Sequence, residues 1–261
     1  MELNQAIPAA GQKKVALLEG SPTRYMYRSF LAGVYLTFGS LIAFLLADYF
    51  GAIAPALGKF MYALFFGWGL VAIIFLNAEL ATSNMMYLSY SAYQQKISWA
   101  NAFKVLFVCT LFNLVGSVLI ALMASETALF ANLSDSHYLF GAVQGKFDKP
   151  YSVILIDGLL ANVLVNMAII GNLRLKSDAG KIIYVIGIIF IFAFFGFEHV
   201  IANFGGFSLA YLLDTGVMAD FTLPAILLHW VVSFVANFLG GGVVMGIGYA
   251  WLNQTQTSYL D

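Results

Sequence analysis

The sequence predicts an all-α integral membrane protein with six transmembrane helices, arranged as a 3+3 inverted repeat in which the second and fifth helices are broken. The first observation is composition, because 61% of the 261 residues are hydrophobic and only 10% are charged. Those fractions lie outside the range of soluble globular domains. The second observation is a set of six long apolar blocks, and the third is a pair of motifs that recurs in both halves of the chain.

The six apolar blocks are long enough to cross a bilayer, which requires about 20 residues per helix. They lie at about 28–50, 60–91, 103–124, 151–173, 182–213 and 224–252. Polar residues interrupt the second and fifth blocks, which are longer than the others. We therefore expect an N-terminal cytoplasmic amphipathic segment at 1–26 that lies on the membrane surface, a transmembrane domain at 27–252, and a cytoplasmic tail at 253–261.

The distribution of basic residues predicts the orientation. With the N-terminus inside, nine of the twelve lysines and arginines fall in internal segments, and Lys59, Lys146 and Lys149 fall outside. Because cytoplasmic loops carry the excess of positive charge, both termini are expected in the cytoplasm of a cell with this protein in its inner (plasma) membrane. The polar start of the chain does not have the apolar core of a signal peptide.

The repeated motifs relate the two halves. Glu79–Asn84 and Glu198–Asn203 share the pattern E-x4-N, and Asn113–Gly116 and Asn237–Gly240 share N-x2-G. Each half has three spans, an odd number, so the second half must enter the membrane from the opposite side. Paired interrupted segments in inverted repeats indicate a transport site.

The break in the second block contains Glu79, Leu80, Thr82 and Asn84. We interpret Leu80 as a gate and Thr82 as a hydroxyl that lines a pore. Glu79 and Asn84 are expected to cap the two half-helices, whose terminal backbone groups have no partners within the helix.

The break in the fifth block places Glu198 and His199 at membrane depth, with Asn203 nearby. Ionisable groups there are costly and mark substrate or proton pathways. His199 is therefore interpreted as functional, and Glu198 as a cap or brace of the break. Burial disfavours a charged imidazole and a nearby carboxylate favours it, so the sequence leaves the protonation state open.

Several other polar residues receive structural interpretations. Lys149 is expected to be solvated in a loop, and His137 and His229 to be loop and interfacial residues. Asp157 and Asn162 should face the protein interior, since facing lipid would be expensive. A net charge of −1 argues against a nucleic-acid partner, and the single Cys109 excludes a disulfide framework or a thiolate cluster. No catalytic motif is present, so we expect no enzyme activity, cofactor or bound metal.

Three motifs resemble those of the formate/nitrite transporter family: N-A-E-L-A-T-S-N-M-M at 77–86, N-L-V-G at 113–116 and G-F-E-H-V-I-A-N at 196–203. The resemblance covers nearly the whole chain. It implies an aquaporin-like protomer, a homopentamer in which every protomer carries its own pore, and a lipid-filled hole on the five-fold axis.

The resemblance also implies roles for individual residues. Those matching a cytoplasmic-side constriction and the loop that breaks the second helix are Phe66, Leu70, Leu80 and Thr82. Those matching the outer constriction, the central pore histidine and the outer-vestibule lysine are Phe192, His199 and Lys146. Asn162 and Asn203 match polar interior positions. Ala81 stands where the bacterial formate channel has a bulky aromatic, which predicts a wider path.

The function implied is transport of formate and related small monovalent anions across the lipid bilayer, coupled to protons through His199. Nitrite, hydrosulfide, lactate and acetate are alternatives within the same class. A neutral-solute channel would predict paired Asn-Pro-Ala half-helices and a pore arginine, and the sequence has neither. An intramembrane enzyme would need a nucleophile or metal ligands beside Glu198 and His199, and none is evident.

Overall fold

A computed structural model describes residues 2–255, and their regular secondary structure is helical. The helices are α1 (Leu3–Gly20), α2 (Pro22–Gly51), α3 (Pro55–Phe75), α4 (Ala81–Tyr93), α5 (Trp99–Ser125), α6 (Tyr138–Phe147), α7 (Tyr151–Arg174), α8 (Asp178–Phe195), α9 (Val200–Leu213), α10 (Leu223–Asn237), a π-helical segment (Phe238–Ile247) and α11 (Gly248–Leu252).

Within the described residues, six helices are long and apolar enough to cross a membrane. They are α2, α3, α5, α7, α8 and the continuous rod Leu223–Leu252. The predicted breaks are present, because α3 ends at Phe75 before α4 begins at Ala81, and α8 ends at Phe195 before α9 begins at Val200. The expected six-span, all-α architecture with broken second and fifth helices is confirmed.

The two halves pack in the same way. Helix α2 contacts α3 and α5, and its counterpart α7 contacts α8 and α10. Both halves need a glycine where two helices cross closely. A methyl group on Gly116 of α5 would overlap the Phe30 carbonyl of α2, and one on Gly240 would overlap the Leu159 carbonyl of α7. The glycine of each N-x2-G motif therefore lets a backbone approach its neighbour.

Backbone conformation ends the helices that stop at the breaks. Gly196 follows α8 with φ of 71°, and Asn77 follows α3 with φ of 55°. Glycine and asparagine are the residues that enter this left-handed region most readily. At both breaks the chain can therefore turn away from the axis of the preceding helix inside the membrane.

Helix α1 lies within the predicted N-terminal segment 1–26. Its apolar residues Leu3, Ile7, Val15 and Leu18 are buried, and the helix contacts α4, α2 and α5. Its apolar face therefore packs against the bundle. Helix α2 begins at Pro22, inside this segment, and the position of the segment relative to the membrane stays a prediction. Most of the predicted tail, 256–261, lies outside the described residues.

The last span is not a uniform α-helix. The π-helical segment Phe238–Ile247 contains the glycines at 240–242 and 246, and it packs against α4 and α7. Glycine has no side chain to resist the wider turn of a π-helix, and such turns occur frequently at functional sites. The motif from Gly242 to Gly246 lies in this segment, where both residues approach Ser89 of α4.

Candidate transport pathway

Two cavities lead towards the middle of the bundle from opposite sides. The α6 vestibule has a volume of about 340 Å³, and its lining includes Lys146, Lys149 and Asn203. The α1 vestibule has a volume of about 330 Å³, and its lining includes Lys14 and Glu79. Both cavities therefore present lysines to solvent, which favours the entry of anions.

A central void of about 10 Å³ lies at the middle of the bundle. It is lined by Leu36, Phe66, Leu70, Leu80, Val165, Ile189, Phe192 and His199. That volume is close to the minimum needed for one water molecule. The path is therefore constricted at this point in the present conformation, and apart from His199 its walls are apolar.

Phe66 lies elsewhere than predicted. Its ring centroid is 5.6 Å from that of Phe192, and both residues line the α6 vestibule as well as the central void. The assignment of Phe66 to the cytoplasmic-side constriction, with Leu70 and Leu80, is therefore wrong. Phe66 is one helical turn before Leu70, and α3 runs from the α6 side towards its break, so this turn places the ring beside Phe192.

His199 contacts Thr82 across the two breaks. The distance from His199 Nε2 to Thr82 Oγ1 is 2.8 Å, and both residues are buried. His199 also begins α9, where its Nδ1 accepts a hydrogen bond from the Ala202 amide at 3.1 Å. An Nδ1 that accepts from an amide carries no proton, so the ring in this arrangement is neutral and its Nε2–H donates to Thr82. The Thr82 hydroxyl then has its own proton to offer.

Two buried asparagines cap the half-helices. Asn237 Oδ1 accepts from the Val200 amide at 2.8 Å, while its Nδ2 donates to the carbonyls of Glu198 and Gly158. Asn113 makes the corresponding hydrogen bonds in the other half. Its Oδ1 accepts from Ala81 N–H at 2.9 Å and its Nδ2 donates to the carbonyls of Glu79 and Ser29.

The expectation that Glu79 and Asn84 cap the half-helices is therefore wrong. The Glu79 carboxylate accepts from Asn84 Nδ2 at 2.9 Å, and the Glu198 carboxylate accepts from Asn203 Nδ2 at 2.8 Å. These contacts tie each break to the helix that follows it, as bracing requires. Sequence reasoning missed the capping role of Asn113 and Asn237, although the recurrence of N-x2-G was a signal for it.

Asn162 and Asn166 of α7 hold the other side of the Thr82 loop. Asn162 Nδ2 donates to the Thr82 carbonyl at 3.1 Å and to the Asn237 carbonyl at 2.8 Å. Asn166 Nδ2 is 3.3 Å from the same Thr82 carbonyl. Asn162 was expected in the interior, whereas Asn166 was not singled out. Together they fix the backbone that presents the Thr82 hydroxyl.

Each bracing carboxylate is paired with a lysine from outside the spanning helices. Lys14 Nζ lies 2.6 Å from Glu79 Oε2, and Lys149 Nζ lies 2.7 Å from Glu198 Oε1. Lys149 also bonds Asp157 Oδ2 and the Gly196 carbonyl, both at 2.7 Å. The interpretation of Lys149 as a solvated loop residue is therefore wrong. Burial alone would lower the pKa of Lys149, but the Glu198 and Asp157 carboxylates outweigh it and the net direction is upward.

The contacts of Lys146 differ from those of Lys149. Its Nζ donates to the Phe197 carbonyl at 2.7 Å, and the distance to Glu198 Oε2 is 3.4 Å. About a fifth of its side chain (19%) is exposed, towards the α6 vestibule. Burial lowers the pKa of Lys146, and the attraction of Glu198 offsets only part of that shift. Lys146 thus lines the vestibule and has no carboxylate as near to it as the one that Lys149 contacts.

His229 is also in this cluster, which corrects its interpretation as an interfacial residue. The side chain is buried, its ring lies 4.8 Å from that of Phe207, and its Nε2 is 3.8 Å from Glu198 Oε2. His137 is buried too, where its Nδ1 accepts from the Leu139 amide at the start of α6. Among residues 2–255, no group of three or more metal-ligating side chains is placed to hold an ion.

The fold and this pathway define a membrane channel or transporter: six spanning helices, two lysine-bearing vestibules and an apolar constriction lined by His199, which is hydrogen-bonded to Thr82. The family model described as formate/nitrite transporter matches residues 1–251. The chain therefore belongs to the formate/nitrite transporter family, whose members are transporters or channels and not enzymes.

Comparisons with individual proteins agree. The nitrite transporter NirC of Escherichia coli (strain K12) is 30% identical over 265 residues, which cover 96% of both chains. A solved structure described as an FNT family ion channel has a TM-score of 0.88 and 27% identity, covering 95% of this chain and 98% of that one. A pentameric formate channel with formate bound has a TM-score of 0.75, 21% identity and coverage of 88% and 96%.

Proposed function

We propose that this protein carries formate and nitrite across the plasma membrane through one pore in each protomer of a homopentamer, with both termini in the cytoplasm. The observation that carries the proposal is the position of His199, which lines the constriction between two lysine-bearing vestibules and is hydrogen-bonded to Thr82. The similar proteins whose names include nitrite transport and a pentameric formate channel support the substrates and the assembly. The excess of internal lysines and arginines supports the orientation.

Charge governs the passage of a small anion. Lys146 attracts the anion into the α6 vestibule, and Lys13 does so in the α1 vestibule, where Lys14 is the counter-ion of Glu79. The ring of apolar side chains around the central void then opposes a bare charge, because an unpaired ion at that depth costs several kcal/mol or more. The anion therefore crosses as its neutral acid.

The proton reaches the anion through Thr82. His199 is neutral at rest, and it takes up a proton from the side of higher proton concentration at Nδ1 when this atom releases the Ala202 amide. The Nε2 proton then moves to Thr82 Oγ1 while the Thr82 hydroxyl proton moves to the anion. The imidazolium becomes a neutral ring with its proton on Nδ1, and the anion becomes a weak acid, so transport is coupled to protons. The ring returns to the Nε2–H tautomer before the next cycle. The hydrogen bond of 2.8 Å between the two side chains supports this relay.

Uptake by proteoliposomes tests the proposed function. Formate, nitrite, lactate and acetate are supplied separately, with and without an inward proton gradient. We expect uptake of formate and nitrite that the gradient increases. Lactate or acetate uptake at a similar rate would extend the substrate class, as the small Ala81 beside Thr82 would allow. Uptake no greater than that of protein-free vesicles, under either condition, would refute anion transport.

The KM for formate is expected to depend on pH in the alkaline range, because Lys146 loses its charge there. Because the pKa of Lys146 is lowered, the ammonium loses its charge at a lower pH than free lysine, and the KM for formate on that side should rise. An increase of roughly tenfold is the order of one lost charge contact. The KM is measured at equal pH on both sides of the vesicle. In Lys146→Arg, whose guanidinium stays charged, the KM should rise less; identical profiles for both proteins would contradict the role of Lys146.

A further inference from the structure

Lys149 and Lys146 share one buried carboxylate, but they bind it unequally. Lys149 is 2.7 Å from Glu198 Oε1, whereas Lys146 is 3.4 Å from Oε2. Lys149 has a second carboxylate partner in Asp157 and a third bond to the Gly196 carbonyl. The closest partner of Lys146 is a neutral carbonyl, that of Phe197.

The charges of the cluster balance. Glu198 and Asp157 carry two negative charges, and Lys146 and Lys149 carry two positive charges. The Glu198 side chain is fully buried, so its carboxylate needs a cation beside it. If Lys146 were the only cation beside Glu198, the carboxylate would neutralise the charge of its ammonium group. An anion in the α6 vestibule would then meet a neutral ion pair instead of a free ammonium group.

We propose that Lys149 is a positioning residue for anion capture: it serves as the counter-ion of Glu198, so that Lys146 keeps its charge for the substrate. This inference rests on the proposed function, in which Lys146 attracts the anion. Asp157 supports Lys149 from α7 and holds its ammonium group between the two carboxylates. Glu198 can thus brace the break through Asn203 without withdrawing Lys146 from the vestibule.

The test is the kinetics of formate uptake by pentamers reconstituted into vesicles, at about pH 8, above the pKa of free histidine. In Lys149→Met, Lys146 moves onto Glu198. We expect the KM to rise roughly tenfold, the order of one lost charge contact, while Vmax changes by less than about twofold. Lys149→Arg, which keeps the charge, should restore the KM. A KM in Lys149→Met equal to that of the wild type would overturn the proposal.

Two charge-matched double variants separate a specific counter-ion from net charge. K149M/D157N and K149M/E198Q both leave the cluster neutral. In the first, Glu198 still captures Lys146, so the KM should stay raised. In the second, no buried carboxylate remains at Glu198, so Lys146 is released and the KM should return to within about threefold of the wild type, less than the change expected for one charge contact.

These double variants also keep the test independent of folding and of the proposed function. K149M/E198Q removes the fully buried Glu198 charge, and the Asp157 carboxylate that loses its partner is 16% exposed, so this variant remains informative if Lys149→Met does not assemble. A raised KM in K149M/E198Q, or full recovery in K149M/D157N, would overturn the role of Lys149. If the wild-type protein carries no formate at all, it is the proposed function that fails.

Discussion

Replacing His199 with asparagine is expected to reduce proton-driven formate uptake by about 100-fold, the lower range for losing a positioned acid or base. Asparagine is a preferred first residue of a helix, and its side-chain oxygen can accept the amide hydrogen bond that His199 Nδ1 accepts now. The start of α9 is thereby preserved. The side chain cannot exchange a proton with Thr82, so the anion meets the constriction as a charged species. Initial uptake rates with an imposed proton gradient measure this effect.

Matched variants of Thr82 show whether the loss concerns the proton path. Thr82→Ser keeps the hydroxyl and should transport at close to the wild-type rate. Thr82→Val keeps the shape, removes the hydroxyl and should resemble His199→Asn. Full proton-driven uptake by His199→Asn, in protein that elutes as the wild-type oligomer, would show that the proton does not pass through this pair.

Asn237→Leu is expected to destabilise the protein by on the order of 4 kcal/mol, because several buried backbone groups lose their hydrogen-bond partner at once. The change leaves the Val200 amide and the Glu198 and Gly158 carbonyls without their present partner. Each such group costs about 1–3 kcal/mol. The apparent Tm in detergent should fall by roughly 10 °C, and it can be followed by the loss of the intact oligomer on size-exclusion chromatography.

The other half of the molecule provides the matched comparison. Asn113→Leu removes the hydrogen-bond partner of the corresponding groups, which are the Ala81 amide and the Glu79 and Ser29 carbonyls. It should lower the Tm by a similar amount. Asn101→Leu serves as the control, since Asn101 is partly exposed and its side-chain amide makes only a 3.5 Å contact with Glu19. Its Tm should stay within a few degrees of the wild type. An unchanged Tm for Asn237→Leu would refute the capping role.

The fold was accessible from the sequence because its signals are local. Runs of about 20 apolar residues define the spans, and the polar breaks at Glu79–Asn84 and Glu198–Asn203 lie where α4 and α9 begin. The amphipathic pattern of α1 was a weaker signal, because it does not show which surroundings the apolar face has. Whether its Ile7 and Val15 would meet lipid or protein depends on the neighbours that tertiary packing supplies, and amphipathicity is the same in both cases.

The site was accessible only in part, because its contacts join residues far apart in the chain. Thr82 and His199 were singled out by their breaks, but their direct hydrogen bond joins positions 117 residues apart. The environment of Lys149 could not be read from its neighbours either, since Asp157 is eight residues away and Glu198 is 49. Phe66 was misplaced because its position along the pore depends on how α3 is translated against α8.

The two breaks also orient the short helices that follow them. Helices α4 and α9 both begin at the middle of the bundle, beside Thr82 and His199. The peptide dipoles of a helix sum to about half a positive elementary charge at its N-terminus. The constriction therefore lies in a fixed positive field that comes from the backbone and does not titrate. This field disfavours a cation whatever the protonation state of the side chains around it, so the topology of the two breaks contributes to the discrimination of charge sign.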